Sequence, residues 1–574
     1  MKRKSVIAVV LVLAIVLFFV IITRRSHEVS MLILNGVIYT ANDKQPIAQA
    51  IAVNDGRIAG VGSNEDVQAR FKGTRVIDLK GRFVYPGFID AHGHIEGLGA
   101  LLTNLDLDGT TSVEQIQELV AGRLSSVKPG AWLRGRGWDQ NKWPGKSFPT
   151  HEMLDVVTKD IPIYLRRVDG HALWVNQKAL ELAKVSRNTA EPEGGKIVRD
   201  ESGNPTGVFI DNAIDLIDSI MPQPSKEERT EAIRKAVEAC LKVGLTEVQD
   251  MGVDLQGIEI YKDLIARKEF PFRVYVAIGG TGETWDEYVK HGPETDGNDG
   301  RLTIRALKMY ADGALGSRGA ALIEPYSDDR GNRGLTLTSS DQLKSAAIQA
   351  LEKGFQVCIH AIGDRGNDIV LNVYSEVLKS DPAKARDARF RVEHAQVLDP
   401  HDIPRFHELG VIPSMQPTHC TSDMYWAEER LGPKRVLGAY AWRSLLNTGS
   451  IIPAGSDFPV QSPDPLLGFY AAITRQDQNG WPNEGWHPDQ RMTREEALKA
   501  FTIWAAYSAF QEGTKGMIEE GKVADFTILS DDIMKIEPKR ILDTRVEMTI
   551  IGGEVVYTAS SFSRVMAVQS LVDR

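Results

Sequence analysis

The sequence predicts an α/β protein in which a (β/α)8 TIM barrel is joined to a small β-sandwich domain built from both chain ends. The chain has 574 residues, of which 42% are hydrophobic, so it has ample material for a large core. Its middle part shows eight short apolar segments with helical stretches between most of them, and eight strands close such a barrel. Both ends contain short β segments with tight-turn signals. An apolar N-terminal transmembrane helix completes the predicted fold.

Residues 1–30 are predicted to form a signal anchor that is not cleaved. Residues 6–22 are an unbroken apolar run, about 25 Å long as a helix at ~1.5 Å per residue. The run ends in bulky side chains, whereas a cleaved signal peptide ends in small ones. The basic residues 2–4 favour a cytoplasmic N-terminus, although two arginines after the run weaken this bias. We expect a membrane-anchored protein with a periplasmic or extracellular catalytic domain; a cleaved signal peptide is the alternative.

The two chain ends are predicted to share one β-domain, made of residues 31–83 and 513–560, with residues 561–574 as a tail. The turn pairs Asn35-Gly36 and Asp55-Gly56 favour tight hairpins between the N-terminal segments. Neither end has enough strands for a stable sheet alone, so we expect the ends to combine. The segments with β character are residues 31–40, 50–61, 75–83, 524–530 and 546–558.

Residues 84–512 are predicted to form the barrel. One of its helices, over residues 493–510, begins with the capping box Thr493-x-x-Glu496. Residues 97–240 are too long for one crossover and contain a strand of their own at residues 161–168, so we predict an insertion between the first two barrel strands. The predicted barrel strands are residues 84–94, 245–250, 272–278, 303–312, 355–360, 390–394, 411–416 and 451–457.

The composition argues against two kinds of site. The net charge of −10 and the lack of a dense Lys/Arg run disfavour a nucleic-acid surface. Cys240, Cys358 and Cys420 are too few and too widely spaced for a disulfide framework or a zinc finger. We expect them to be buried apolar fillers.

A metal-binding pair is predicted at the end of the first barrel strand. His92 and His94 lie one residue apart, and strand side chains alternate, so both imidazoles point to the same side. Two such imidazoles can hold a divalent metal, and Gly93 between them has no side chain to block it. Taken alone the pair is a weak signal, and two polar loop histidines are the alternative.

Four further polar residues stand in or at the end of segments predicted as barrel strands. Singly, each has an ordinary explanation: a histidine forms a hydrogen bond, an aspartate caps the next helix and a lysine reaches solvent. The carboxyl ends of barrel strands, however, meet in one cavity, where the active site lies. We therefore predict that these residues line one site together with the histidine pair. The four are Lys308, His360, His394 and Asp457.

This set of residues resembles the metal signature of the amidohydrolase superfamily. Further motifs resemble its branch that contains N-substituted formamide deformylases, and they are residues 85–94, Gly137-Trp138-Asp139-Gln140, Asp169-Gly170-His171, residues 312–317 and residues 455–460. The resemblance covers roughly residues 31–558 and implies the barrel fold, hydrolase activity and a divalent metal cofactor. It implies that one ion is held by His92, His94 and Asp457, the other by His360 and His394, and that Lys308 bridges them.

The implied bridge requires a chemical change at Lys308, because an ammonium group would repel two dications. A neutral amine adds carbon dioxide to form a carbamate, whose oxygens bind metals as a carboxylate does. Two zinc ions are the expected cofactor, with manganese or iron as alternatives, and a single-ion site with unmodified Lys308 is left open. In this interpretation a hydroxide between the ions attacks, because coordination lowers the pKa of water towards ~7. Asp457 takes its proton and passes it to the departing nitrogen, while the second ion polarises the carbonyl.

The insertion is predicted to supply the substrate pocket. Trp138, Asp139 and Gln140 follow a glycine-rich segment and suit a lid or rim, although Trp138 could equally anchor the insertion to the barrel. His171 ends the insertion's internal strand and is predicted to hydrogen-bond the developing oxyanion. His419, just after the seventh strand, is better explained as part of an ordinary loop.

The sequence therefore predicts a metal-dependent amidohydrolase that cleaves a carbon–nitrogen bond in a non-peptide amide, with N-substituted formamides as one candidate class. The expected partners are a small amide or formamide and a membrane, without nucleic acid, and a homodimer is left open. One alternative is an esterase or lactonase on the same scaffold, since the same nucleophile attacks those bonds. The other is an inert, membrane-anchored binding or regulatory protein, against which the complete ligand set argues.

Overall fold

The structure, a computed structural model, describes residues 26–128, 130–296, 300–560 and 562. In this part of the chain, seven parallel strands form one curved sheet, and each pairs with the next in chain order. They are β1 (Phe88–Gly93), β2 (Leu245–Val253), β3 (Arg273–Gly279), β4 (Leu302–Tyr310), β5 (Gln356–Ala361), β6 (Arg391–His394) and β7 (Ile412–Ser414). A short strand, Glu294–Asp296, pairs antiparallel with β4.

Residues 451–457, predicted as the eighth strand, do not form a regular strand. Ala454 makes one parallel bridge to Met415, just beyond β7. On its other side, the Ala454 carbonyl accepts a hydrogen bond from the backbone of Ala91 in β1 (3.0 Å). The segment therefore lies between the two ends of the sheet and nearly closes it. The α/β barrel prediction is confirmed in this form, as a nearly closed parallel barrel of seven strands.

Local chemistry explains why the eighth segment is irregular. Pro453 has no N–H to donate to a strand ladder, and Asp457 has a φ of 58°, outside the β region. Gly455 lies so close to β1 that a Cβ atom there would be 2.5 Å from the backbone nitrogen of His92. Asp457 then donates its backbone N–H to the carbonyl of His92 (2.7 Å). This turn brings the Asp457 side chain next to the predicted histidine pair.

Amphipathic helices cover the outside of the barrel. Ser340–Lys353 shows why they form: Ser339 begins it with a capping box, its buried face includes Leu343, and Gly354 ends it with a φ of 81°. The predicted helix over residues 493–510 begins with the expected capping box but is divided in two. The described α-helices are Asn64–Arg70, Ile95–Leu101, Val113–Arg123, His151–Asp155, Gln177–Leu182, Asp215–Asp218, Lys226–Lys242, Leu255–Ala266, Glu283–His291, Ser340–Lys353, Asp364–Ser380, Pro382–Ala385, Ile403–Leu409, Pro417–Asp423, Ala427–Arg435, Trp442–Asn447, Pro465–Thr474, Arg494–Ala500 and Ile503–Ser508.

Strands from both chain ends pack together beside the barrel. Within the described ranges, a four-stranded sheet has the order Arg57–Gly62, Ala50–Asn54, His27–Leu34 and Phe71–Asp78. A six-stranded sheet has the order Glu554–Thr558, Val546–Ile551, Phe526–Leu529, Phe83–Pro86, Val37–Tyr39 and Ile47–Ala48. The antiparallel pairing of Phe526–Leu529 with Phe83–Pro86 joins the C-terminal strands to the N-terminal ones. Side chains from both sheets, such as Ile33 and Ile528, share one buried cluster.

The segment between β1 and β2 contains a sheet of its own. Its described strands, in spatial order, are Gly195–Arg199, Pro205–Asp211, Ala172–Val175, Ile163–Arg167, Leu133–Trp138 and Leu105–Asp106. Apolar side chains on this sheet build separate buried clusters. Because its strands end beside the barrel, this sheet supplies part of the wall around the site described below.

The prediction of a membrane anchor is corrected by the structure. No helix in the described ranges is both long enough and apolar enough to cross a membrane. Even Lys226–Lys242 and Asp364–Ser380 have only 17 residues each and carry charged faces, whereas a span needs about 20 apolar residues. The apolar run at residues 6–22 lies outside the described residues. Anchoring by a helix, and the localisation inferred from it, are therefore not supported.

Candidate metal centre

The carboxyl ends of the barrel strands open into two adjoining cavities of about 530 and 480 Å³. Both are lined by polar residues that come from the barrel and from the inserted sheet. The residues common to both include Arg136, His171, His360, His394 and Asp457. Every histidine that the sequence predicted for the metal site lines at least one of these cavities.

His92, His94 and Asp457 form the first group of metal donors. Their ligand atoms all lie within 4.8 Å of one another. The Oδ1 atom of Asp457 is 3.1 Å from His94 Nε2 and 3.6 Å from His92 Nε2. The strand alternation that predicted the pair thus holds, and the irregular eighth segment brings the carboxylate to it.

Acceptors behind the two histidines determine which ring nitrogen faces the site. His92 donates its Nδ1–H to Glu393 Oε2 (2.6 Å), and His94 donates its Nδ1–H to the carbonyl of Met251 (2.8 Å). In each ring the proton therefore lies on Nδ1, and the Nε2 lone pair points towards Asp457. A divalent metal needs this tautomer from both histidines.

Glu393 is a functional residue that the sequence reasoning missed. It lies two residues after Arg391 in β6, and both side chains are completely buried. Oε1 is 2.7 Å from Arg391 Nε, and Oε2 accepts a hydrogen bond from Arg391 Nη2 (3.0 Å). Burial alone raises the pKa of a carboxyl, but Arg391 and His92 hold the pKa of Glu393 well below its usual range. The sequence did contain a signal for this residue, because Arg391 and Glu393 place two opposite charges in an otherwise apolar strand.

A second donor group consists of His394, His419 and Asp457, with ligand atoms again within 4.8 Å of one another. His394 Nδ1 lies 2.8 Å from Gln416 Oε1. His419 Nε2 is 3.7 Å from Asp457 Oδ2, and this buried atom has no hydrogen-bond partner among the described residues. His419 lies in the helix Pro417–Asp423 directly after β7, a strand-end position that the sequence analysis assigned to an ordinary loop.

His360 and Lys308 lie beside these groups. The His360 ring is 4.5 Å from the His394 ring, while its Nε2 is 3.4 Å from the carbonyl of Gly313. Lys308 Nζ is 3.3 Å from His92 Nε2. The structure thus gathers all six predicted metal ligands at one end of the barrel, and it adds His419 to the neighbourhood of His394.

The protonation of the donor set fits a divalent cation. Burial, followed by the charge of Lys308, lowers the pKa of His92 to about 4, and burial lowers the pKa of His394 well below its usual value. Both imidazoles are therefore neutral at pH 7, as metal ligands must be. Burial alone raises the pKa of Asp457, but the neighbouring His94, His92 and His394 hold that pKa well below its usual range. Neutral imidazoles around an ionised carboxylate are a donor set that suits zinc.

His171 lies across the cavity from the donor groups, on the inserted sheet's side. Its ring is 5.0 Å from the His360 ring, and its Nδ1 is 2.6 Å from Asp211 Oδ1. Burial alone lowers the pKa of His171, but the hydrogen bond to Asp211 raises it above its usual value. The Nε2–H of this ring is therefore available as a donor.

The three residues predicted to contact substrate differ in whether they line a cavity. Trp138 is completely buried in the core of the inserted sheet and donates its indole N–H to Leu165, so it anchors the insertion and does not line a cavity. Gln140 is also completely buried, and its side chain accepts a hydrogen bond from Arg167. Asp139 lines the larger cavity but is paired with Arg167. A side chain enclosed by its own domain cannot contact substrate, and we do not retain Trp138 and Gln140 in that role.

Comparisons with known proteins agree with this fold. A putative amidohydrolase of Bacillus subtilis, YtcJ, is 34% identical over 92% of this chain and 99% of its own length. An N-substituted formamide deformylase of Arthrobacter pascens is 28% identical over 92% of this chain and 98% of its own. The crystal structure of an uncharacterized metal-dependent hydrolase from Pyrococcus horikoshii has a TM-score of 0.71 at 27% identity, covering 88% of this chain and 99% of the other. The amidohydrolase family profile matches residues 75–557, and the chain belongs to the amidohydrolase family.

Proposed function

We propose that the protein is a metal-dependent hydrolase that cleaves the carbon–nitrogen bond of a non-peptide amide, with N-substituted formamides within its substrate class. The observation that carries this proposal is the donor group of His92, His94 and Asp457 at the open end of the barrel. The similarity to an N-substituted formamide deformylase over most of both chains supports the choice of bond.

The activity is assigned to the barrel, residues 84–512, together with its insertion, residues 97–240. The proposed β-domain, residues 31–83 and 513–560, flanks the barrel. None of its residues lines either of the two cavities in the described part of the chain. This domain is therefore proposed to support the barrel and not to contact substrate.

The residues that would hold a metal follow from the two donor groups. His92, His94 and Asp457 would hold it in the first position, and His394 with His419 would offer a second position on the other side of Asp457. When bound, a divalent cation supplies Lewis acidity, which polarises a substrate carbonyl and lowers the pKa of water.

Asp457 is proposed to move the proton. Its Oδ1 faces the first histidine pair, whereas Oδ2 faces His419 at 3.7 Å. Because the pKa of Asp457 is held well below its usual range, the carboxylate is ionised at neutral pH and can accept a proton from the attacking water. The proton then goes to the departing nitrogen, so that one water is added across the carbon–nitrogen bond and gives a carboxylic acid and an amine.

His171 is proposed to stabilise the oxyanion. Its Nδ1 is bound to Asp211, which leaves Nε2–H as the donor on a ring that lines both cavities. The raised pKa of His171 favours the charged imidazolium, a stronger donor to a developing negative charge.

Lys308 is proposed to carry a carbamate. It is only 1% exposed, and burial lowers the pKa of its amine, which favours the neutral form. The neutral amine nitrogen bonds to the carbon of carbon dioxide and releases one proton, so an uncharged group becomes an anion beside His92 Nε2. An anionic group suits this position better than an ammonium when a dication is bound.

The experiment that tests the proposed function is a hydrolysis screen of the full chain supplied with zinc or manganese. The panel contains N-benzylformamide, acetanilide, phenyl acetate and a γ-lactone, and it is scored by release of amine, acid or alcohol. We expect turnover of at least one amide. Turnover of phenyl acetate or the lactone without turnover of any amide would reject carbon–nitrogen cleavage.

A double variant tests the metal centre in the same screen. His92→Ala/His94→Ala should lose bound metal and turnover together, because it removes two of the three donors in the first group. His291→Ala/His401→Ala is the matched control, since both of its histidines are exposed and line neither cavity. Full metal content and rate in the first variant would refute the assigned site.

A further inference from the structure

Two arginines lie side by side on the wall that the inserted sheet presents to the smaller cavity. The strands Leu133–Trp138 and Ile163–Arg167 are parallel neighbours, and their register places Arg136 directly opposite Arg166. Directly opposed residues project from the same face of a sheet. Both arginines line the 480 Å³ cavity that also contains Asp457.

Neither guanidinium is fully satisfied by the protein. The Arg136 side chain makes one hydrogen bond, from Nη2 to the carbonyl of Val168 (2.9 Å), and no carboxylate among the described residues forms an ion pair with it. Arg166 is only loosely paired, with Nη2 3.5 Å from Asp218 Oδ2. The Nε atoms of both arginines are buried without a hydrogen-bond partner in the described part of the chain. Buried donors without acceptors destabilise a fold unless a ligand or an ordered water satisfies them.

Three nearby carboxylates are already engaged by other residues. Asp139 and Asp169 both pair with Arg167, the next residue along the strand, whose side chain points to the other face. Asp211 accepts the hydrogen bond from His171. Arg167 also lines the larger cavity, but it has two carboxylate partners, whereas Arg136 forms no ion pair with a carboxylate of the described residues.

A glycine next to Arg136 leaves room for its guanidinium. Gly170 has a φ of 77°, and a Cβ atom there would lie 3.2 Å from Arg136 Nη2. A larger residue would crowd the guanidinium and would require a strained backbone. Gly170 thus leaves space beside it for the Arg136 guanidinium.

We propose that Arg136 and Arg166 form an anion subsite that binds a carboxylate carried by the substrate. A carboxylate fits because its two oxygens match the planar donor fork of a guanidinium. The proposal rests on the proposed function, and it narrows the substrate class to amides whose acyl or amine part bears a carboxylate.

Two matched substrates test the subsite in the metal-loaded full chain. N-formyl-β-alanine carries a carboxylate, and N-formylpropylamine is a neutral formamide of similar length. We expect a higher kcat/KM for the anionic substrate. Arg136→Gln should lower the ratio of the two kcat/KM values by about 10- to 100-fold, the range for a hydrogen bond to a charged group. Arg136→Lys, which keeps the charge without the fork, should give a smaller loss.

Arg134→Gln is the matched control. Arg134 is on the same strand and face as Arg136, two residues earlier, but it lines neither cavity. Both kcat/KM values should stay as in the wild type. An Arg136→Gln protein that melts normally but keeps the wild-type ratio, or loses both activities equally, would overturn the subsite.

A binding measurement separates this proposal from the proposed function. Succinate titrated into the metal-loaded protein should bind, and its affinity should fall at least 10-fold in Arg136→Gln. If no amide is hydrolysed but succinate binding depends on Arg136, the proposed function fails and the subsite stands. If amides are hydrolysed while neither the substrate ratio nor succinate binding depends on Arg136, the subsite fails and the proposed function stands.

Discussion

Replacing Glu393 with glutamine tests whether this buried carboxylate orients His92 towards the metal centre. Glu393 is 0% exposed and contacts two positively polarised groups, His92 Nδ1 at 2.6 Å and Arg391 Nε at 2.7 Å. Because Arg391 and His92 hold its pKa well below the usual range despite burial, the carboxylate is ionised at neutral pH. Glutamine has nearly the same volume, so the substitution removes the charge and leaves the packing in place.

Two losses follow from these contacts. Arg391 becomes a buried cation without a counter-charge, and breaking a buried pair in this way costs about 3–5 kcal/mol of unfolding free energy. Where the amide presents its NH2 group to His92 Nδ1–H, two donors face each other and the ring loses its fixed tautomer. Groups that orient a metal-binding histidine typically contribute about 10- to 100-fold in metal affinity. We expect both a less stable protein and weaker zinc binding by that factor.

Denaturant titration measures the unfolding free energy, and competition with a chelator of known strength measures zinc affinity. Glu247→Gln is the matched control, because Glu247 is 1% exposed, pairs with the buried Lys515 and lines neither cavity. This control should lose stability but keep its zinc affinity. Unchanged zinc binding in a folded Glu393→Gln protein, or an equal loss of zinc affinity in both variants, would refute the orienting role.

Substitutions at three further positions test other parts of the structure. His419→Ala should reduce the amount of metal bound per chain while the first donor group keeps its ion, because His419 is a donor only in the second group; elemental analysis measures this. Lys308→Ala should lose most activity and regain part of it with acetate or propionate, whereas Lys308→Arg should stay inactive because a guanidinium cannot be carboxylated; full activity in Lys308→Arg would exclude the carbamate. Asp525→Asn should lose about 3–5 kcal/mol of unfolding free energy at neutral pH, because it leaves the buried Arg273 unpaired. Burial alone raises the pKa of Asp525, but Arg273 holds it below its usual value. The stability that the ion pair gives the wild type is therefore lost as the pH falls through this lowered pKa. The difference in unfolding free energy between the wild type and Asp525→Asn should shrink in acid.

The local pattern of the sequence was sufficient to predict the nearly closed barrel and to predict that most of the candidate metal ligands lie together at one end of it. His92 and His94 share a face because strand side chains alternate, and this is a property of three consecutive residues. His360 and His394 were found because each lies at or next to the end of an apolar strand, and parallel barrel strands bring those ends together. Short-range periodicity and one topological rule were enough for these assignments.

Contacts between distant parts of the chain were decided only by the tertiary structure. Glu393 contacts His92, which is 301 residues away in the chain. His419 faces Asp457, which is brought there by residues 451–457, the irregular segment that was predicted to be a strand. Among the described residues, Arg136 has no carboxylate partner, since its register places it opposite another arginine and Arg167 engages Asp139 and Asp169. The pairing of buried charges depends on strand register and on which side chains reach one another in a closed interior. Hydrophobic periodicity carries no information about either, because it reports which face of a strand is buried and not which charged groups meet there.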